Sequence, residues 1–217
     1  MVVGRSPLSS KTVYIPGDLS SAAFLMVGAA IASGSKITIQ NVGVNPTRTG
    51  IITVLQRMGA QIDISPVETG SHEPVANITI CSSQLRGVTV EKELLPSLID
   101  EVPILCIAAA AAEGETIIRG ASELRIKESD RIATMARALQ AIGVSAQELP
   151  DGIRIKGSKK WISGSCITEG DHRVAMAMKI ASLRIKGEIA VDDETNINTS
   201  FPGFQETLAS LQSGGGS

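Results

Sequence analysis

Two kinds of helical pattern alternate along the chain with short β-branched strands. In the first kind every position is apolar, as in Ala22-Ala23-Phe24-Leu25-Met26-Val27 and in Ile104-Leu105-Cys106-Ile107 with the alanines that follow. A helix apolar on all sides belongs in an interior. In the second kind Ile132, Met135, Ala136, Leu139 and Ile142 recur at intervals of three or four, with Arg131, Thr134, Arg137 and Gln140 between them. That spacing predicts an amphipathic helix with one face in water.

The two patterns recur in a fixed order. Asp18, Asp100 and Asp171 each open an apolar, Ala-rich run that reaches a glycine 16, 14 and 16 residues later, at Gly34, Gly114 and Gly187. A short strand follows each glycine: Lys36 to Ile39, Thr116 to Arg119 and Glu188 to Val191. A second helix is expected near Arg48, Arg131 and Phe201. In the first two segments hairpin-like pairs come next, Gln61 to Ile64 with Ala76 to Cys81 and Val144 to Glu148 with Gly152 to Ile155. Matched spacing in three segments marks an internal repeat.

The expected fold is therefore α/β (α+β), three β-α-β-α-β-β-like repeats with the wholly apolar helices parallel at the centre and the sheets outside. Parallel helices bring their N-termini, with partial positive charge and unpaired N–H groups, to one face, which favours anions. The three aspartates are also good N-caps.

Composition narrows the functional classes. The 217 residues carry a net charge of -2 and only five aromatic side chains, so neither a basic footprint for nucleic acid nor a stacking platform is present. Three cysteines at wide spacing, Cys81, Cys106 and Cys166, fit a reducing, cytoplasmic setting rather than a disulfide framework. No apolar run approaches the roughly 20 residues that span a bilayer. Residues 1–15 are expected to form a crossover segment or first strand, 16–212 the folded domain, and 213–217 a flexible linker.

Candidate chemistry concentrates in two blocks. Ser122-Glu123-Leu124-Arg125-Ile126-Lys127-Glu128-Ser129-Asp130-Arg131 mixes both signs of charge between a strand and an amphipathic helix. Taken alone it reads as a solvated turn. Yet Lys127, Glu128 and Arg131 are expected at a helix start, where cations oppose the macrodipole unless an anion lies between them. The second block, Gly170-Asp171-His172-Arg173, runs straight into an apolar helix. It reads either as a polar cap with a solvated arginine or as a carboxylate or phosphate clamp with His172 as orienter. His72 is expected on the surface without a role. With two histidines and scattered cysteines no zinc set can be assembled, and no dinucleotide, P-loop, zincin or nucleophile-elbow motif occurs.

These blocks, with Pro16-Gly17-Asp18-Leu19-Ser20-Ser21, Asn45-Pro46-Thr47-Arg48-Thr49-Gly50, Ile99-Asp100-Glu101-Val102-Pro103 and Ser200-Phe201-Pro202-Gly203-Phe204, resemble the 5-enolpyruvylshikimate-3-phosphate (EPSP) synthase family. The resemblance covers nearly the whole chain and follows the family's order. It implies an "inside-out" enolpyruvyl transferase domain, the second of two, and so only half of an active site. The implied reaction transfers enolpyruvyl from phosphoenolpyruvate to the 5-hydroxyl of shikimate 3-phosphate, in the shikimate pathway to aromatic amino acids, with no cofactor and no metal.

Carried over residue by residue, the resemblance makes Asp100 the candidate base and Glu128 the proton donor to the methylene carbon. Lys127 would contact shikimate 3-phosphate and exchange protons. Arg131 and Arg173 would hold phosphoenolpyruvate, with His172 beside them. Glu123 stands where some members have a phosphate-binding asparagine, and Thr199 or Ser200 where some have a lysine. The implied partners are the two substrates and the first domain, with no nucleic acid and no membrane. Two alternatives remain: a transferase acting on a UDP-amino sugar, disfavoured by the Leu124 to Arg131 block, and a binding or structural module that kept the fold without the chemistry.

Overall fold

The computed structural model describes residue 10, residues 12–68 and residues 73–213. The first unit comprises α1 (Leu19–Ile31), β1 (Lys36–Gly43), α2 (Gly50–Arg57), β2 (Gln61–Val67) and β3 (Val75–Cys81). The second has β4 (Thr89–Val90), α3 (Val102–Ala111), β5 (Glu115–Ile118), α4 (Arg131–Ala141), β6 (Ser145–Leu149) and β7 (Gly152–Lys156). The third has β8 (Gly164–Cys166), α5 (His172–Ala181), β9 (Ile189–Val191), α6 (Ile197–Ser200) and α7 (Phe204–Ser213).

Helices α1, α3 and α5 pack against one another at the centre. Alanine and leucine favour helix, and apart from Ser20 and Ser21 in the first turn of α1 no hydroxyl or charged side chain needs solvating, so nearly all of α1 and α3 is buried. Small residues let the axes approach: a Cβ on Gly28 would lie only 3.3 Å from Leu183 and 3.4 Å from Ile180. Removing one such side chain, as in Leu105→Ala, costs about 2–5 kcal/mol. The three helices run parallel. The Arg184 guanidinium, just beyond α5, donates to the Ala111 carbonyl at the end of α3 (3.3 Å), while side chains from the helix starts meet at the opposite end.

Each central helix crosses over between parallel strands. β4 pairs parallel with β5 and β8 with β9, and in the first unit an isolated parallel bridge joins Gly17 to Val42. Hairpins then extend two sheets, giving the orders β1-β3-β2 and β4-β5-β7-β6. At Gly152 a Cβ would sit 1.8 Å from the Ile118 carbonyl oxygen, so only glycine admits this approach of β7 to β5.

The α/β expectation with helices inside and sheets outside is met, with three local differences. The third sheet has only β8 and β9, and after Val191 the described residues enter α6 and α7, so this unit carries no hairpin. α7 continues through Ser213, which is helix rather than linker; residues 214–217 lie outside the described residues, as does His72. The polar stripe of α4 does not all face water: Arg131 and Thr134 are buried, and only Arg137 and Gln140 are exposed.

Candidate functional site

The starts of the three central helices meet in one polar cluster. Asp18 caps α1, its carboxylate accepting from the Ser21 backbone N–H (2.8 Å). Asp171 caps α5 through Oδ1, which accepts from the backbone N–H groups of Arg173 (2.9 Å) and Val174 (3.4 Å). Asp100 departs from the expected pattern. It lies in a 3-10 turn, Ile99–Glu101, that precedes α3, and Glu101 occupies the cap position without a side-chain capping bond. The turn, followed by Pro103 near the helix start, moves α3 onward and leaves the Asp100 carboxylate available for side chains.

Arg131 joins the blocks. It is 1% exposed, and its Nε donates to Asp171 Oδ2 (2.7 Å), Nη2 to Glu128 Oε2 (2.6 Å) and Nη1 to Asp100 Oδ1 (3.4 Å). Ser129 Oγ donates to the same Asp171 oxygen (3.1 Å). Arg173 reaches Asp100 from α5, donating to its carbonyl oxygen at 3.1 Å with Nη2 3.9 Å from the carboxylate. A buried guanidinium is tolerated only with such partners, because its desolvation costs several kcal/mol. The anion expected between cations at the start of α4 is supplied by protein carboxylates. Asp171 is fully buried, whereas Glu128 and Asp100 are 50% and 37% exposed and can be displaced.

Lys127 and Glu128 lie in the turn before α4, which begins at Arg131, rather than on the helix itself; Asp130 caps it by accepting from Ala133 N–H (3.0 Å). Glu123 holds Lys127 at 2.8 Å, and this bond, reinforced by Asp100, raises the lysine above its ordinary value. Burial lowers His172, with the neighbouring Arg173 charge adding to the effect, so the imidazole at the start of α5 favours its neutral form. Thr199 sits in α6 and is exposed.

The structure thus brings Asp100, Glu128, Arg131 and Arg173 into direct contact, with Lys127 and His172 on the same face and Glu123 attached to Lys127. It adds residues that sequence reasoning did not assign. Glu101 is 2% exposed, accepts from Ser20 Oγ, and lies 4.0 Å from Arg48, whose Nη2 also donates to Ser20 (3.0 Å). Burial pushes the Glu101 carboxyl up, and the Ser20 bond opposes that. A charged residue directly before a wholly apolar helix was the available signal. Asp171 was read as a cap, but its second oxygen anchors Arg131.

Two clefts lie away from this cluster. One of about 520 Å³ runs between the ends of α1, α5 and α7, lined by Leu25, Gly28, Ile180, Leu183, Leu208 and Leu211. Another of about 710 Å³ is lined by Ser82, Ser83, Ser158, Lys159 and Arg184 among others. Both sit toward the C-terminal ends of the bundle, away from the carboxylates and guanidinium groups gathered at the helix starts. Among the described residues, no group of three or more His, Cys, Asp or Glu side chains is placed to hold a metal, and no helix is long and apolar enough to cross a membrane.

The sequence profile of a family described as EPSP synthase (3-phosphoshikimate 1-carboxyvinyltransferase) matches residues 1–208. The 3-phosphoshikimate 1-carboxyvinyltransferase of Nitrosococcus oceani is 53% identical over 205 residues, covering 94% of this chain and 46% of the relative. That of Desulforudis audaxviator is 47% identical over 213 residues, covering 98% and 50%. The chain spans about half the length of the curated relatives it matches. A solved EPSP synthase from Acinetobacter baumannii superimposes with a TM-score of 0.87 at 43% identity, over 91% of this chain and 46% of that one. The enolpyruvyl transferase NikO from Streptomyces tendae, at 19% identity and a TM-score of 0.69 over 92% of this chain and 44% of that one, shares the fold.

Proposed function

Because the chain belongs to the EPSP synthase family, we propose that it contributes the second-domain half of an active site that transfers enolpyruvyl from phosphoenolpyruvate to the 5-hydroxyl of shikimate 3-phosphate. In this reading residues 16–212 are that domain and residues 1–15 the crossover from the first. Its partner is the family's other half, and its setting the cytoplasm, which suits three free cysteines. Neither nucleic acid nor membrane has a part in it.

The observation that carries the reading is the convergence on Arg131 of carboxylates from three separate segments, with Arg173 alongside. The reaction joins the 5-hydroxyl oxygen to C2 of phosphoenolpyruvate while a proton is added to the methylene carbon. The tetrahedral adduct then expels phosphate as its new methyl group loses a proton. Both substrates are anions, which Lys127, Arg131, Arg173 and the helix N-termini accommodate. An arriving carboxylate takes the Nη edge of Arg131 now held by Glu128 and Asp100. That exchange releases Asp100 to accept the hydroxyl proton and Glu128 to deliver one to carbon, with Lys127 against shikimate 3-phosphate. His172, neutral, packs beside Arg173.

An open face fits half a site. Ile126, next to Lys127, is 83% exposed, an apolar side chain that a covering domain would remove from water. The test is phosphate release from phosphoenolpyruvate and shikimate 3-phosphate by this chain, alone and mixed with a first domain from the family. Activity confined to the mixture supports the reading. Silence in both, with a folded chain, refutes it, and turnover with a UDP-amino sugar instead favours the sugar transferase.

A further inference from the structure

The turn that delivers Asp171, His172 and Arg173 is held in an unfavourable backbone conformation by a contact outside the reacting cluster. Glu169 has φ +55° and is followed by Gly170 at +74°. Glycine adopts this left-handed region freely; a glutamate with a Cβ does not. The turn is fixed on both sides. Before it, the N–H and hydroxyl of buried Thr168 both donate to Asp192 Oδ1 (2.8 and 2.6 Å). After it, Asn196 Nδ2 donates to the Gly170 carbonyl (3.1 Å).

The Glu169 side chain reaches back to α4. One oxygen accepts from Thr134 Oγ1 (3.2 Å) and the other from Arg137 Nη2, while Arg137 Nη2 also donates to Thr134 (3.2 Å). Thr134 and Arg137 lie three and six residues after Arg131, on the same side of α4. α4 therefore grips the turn twice, through Arg131 on Asp171 and through Thr134 and Arg137 on Glu169. The second grip is separate from the carboxylates that Arg131 holds. It gives buried Thr134, on a stripe of α4 expected in water, its polar partner.

We propose that Glu169 is a positioning residue: its clamp on Thr134 and Arg137 imposes the left-handed turn that sets Arg173 against Asp100 and His172 beside it. The significance of that placement rests on the active-site reading above, but the clamp itself can be tested without substrate. Glu169 touches no reacting group, and its exposed ion pair adds little to stability. Glycine at 169 would relieve the backbone while removing the clamp, so folding and positioning should part company.

The readout is the imidazole titration of His172, followed by NMR in this chain with His72 replaced by Gln so that one signal remains. The groups bearing on it are Arg173, Asp171, Glu128 and Arg131. In the parent its midpoint lies below the ordinary 6.5. For Glu169→Gly the expected result is a melting temperature equal to or above the parent's, with the midpoint moving up toward 6.5 as His172 loosens into water. Thr134→Val, which removes one partner without touching the turn, should move the midpoint the same way by less. Glu169→Gln, which keeps an acceptor for α4, should restore part of the parent value. A midpoint unchanged in Glu169→Gly overturns the proposal. So does a midpoint that moves only in proportion to a fall in melting temperature, since that reports general loosening.

Discussion

Replacing Asp171 probes the buried join most sharply, because one carboxylate there serves two purposes. Its Oδ1 caps α5, and its Oδ2 takes Arg131 Nε at 2.7 Å with both side chains essentially out of water. Asp171→Ala removes a cap worth about 1 kcal/mol. It also leaves a buried guanidinium short of a partner, for which breaking a buried pair costs about 3–5 kcal/mol. Glu128 and Asp100 still hold the other edge of Arg131, which places the expected loss near the lower end, about 4 kcal/mol in total.

Asp171→Asn separates the two functions. Asparagine caps as well as aspartate, but its amide cannot present an acceptor to the α5 N–H groups and to Arg131 together. One charge-assisted bond of about 1.5–3 kcal/mol is then lost. Urea titration followed by circular dichroism should rank parent, Asn and Ala in falling order, against a total domain stability of about 5–15 kcal/mol. Adding Arg131→Met to Asp171→Ala should recover part of the loss, because an apolar side chain needs no counter-charge. If Asp171→Asn and Asp171→Ala both fall within about 0.5 kcal/mol of the parent, as ordinary surface changes do, or if adding Arg131→Met recovers none of the Asp171→Ala loss, the buried pair does not hold the blocks together.

Three further outcomes follow. Glu101 has its folded-state pKa raised by burial, so its contribution is full below the unfolded value of about 4.5 and is lost as pH rises through the folded value. Glu101→Gln should therefore gain relative to the parent by up to about 1.4 kcal/mol per pH unit within that window, read from urea midpoints at several pH values; a difference independent of pH would contradict this. Burial holds the Cys106 thiol at about 12 and Cys166 at about 11. Iodoacetamide at neutral pH should thus label at most Cys81 in the native chain and all three cysteines in urea, as counted by intact mass. In a two-domain enzyme, Asp100→Ala or Glu128→Ala should lower turnover about 10²- to 10⁴-fold with much smaller effects on substrate binding; unchanged turnover in both would remove their assigned roles.

Local physics decides which parts of this fold could be read from sequence. α1 and α3 were legible because a helix with no charged residue and a long wholly apolar run has one place to go. The parallel course of the central helices followed from the recurrence of helix and strand at matched spacing. Arg131 was not legible as a buried residue: at three- and four-residue spacing it reads as the wet side of α4, and its burial depends on Asp171, 40 positions away. The 3-10 turn at Ile99–Glu101 was hidden for a related reason, since an aspartate before an apolar run looks like a cap whether or not the helix starts there. Glu169 gave no signal, because a left-handed φ at glutamate arises from contacts with α4 rather than from local propensity. The grouping of Asp100, Lys127, Glu128, Arg131 and Arg173 was anticipated; that protein carboxylates already occupy Arg131 was not.

The most direct test of a shared anion pocket is the Michaelis constant for each substrate in the two-domain enzyme carrying Arg173→Met. Loss of one charge-assisted bond of about 1.5–3 kcal/mol predicts a KM for phosphoenolpyruvate raised about 10- to 150-fold, with that for shikimate 3-phosphate changed far less. Equal changes for both substrates, or none for phosphoenolpyruvate, would contradict the account.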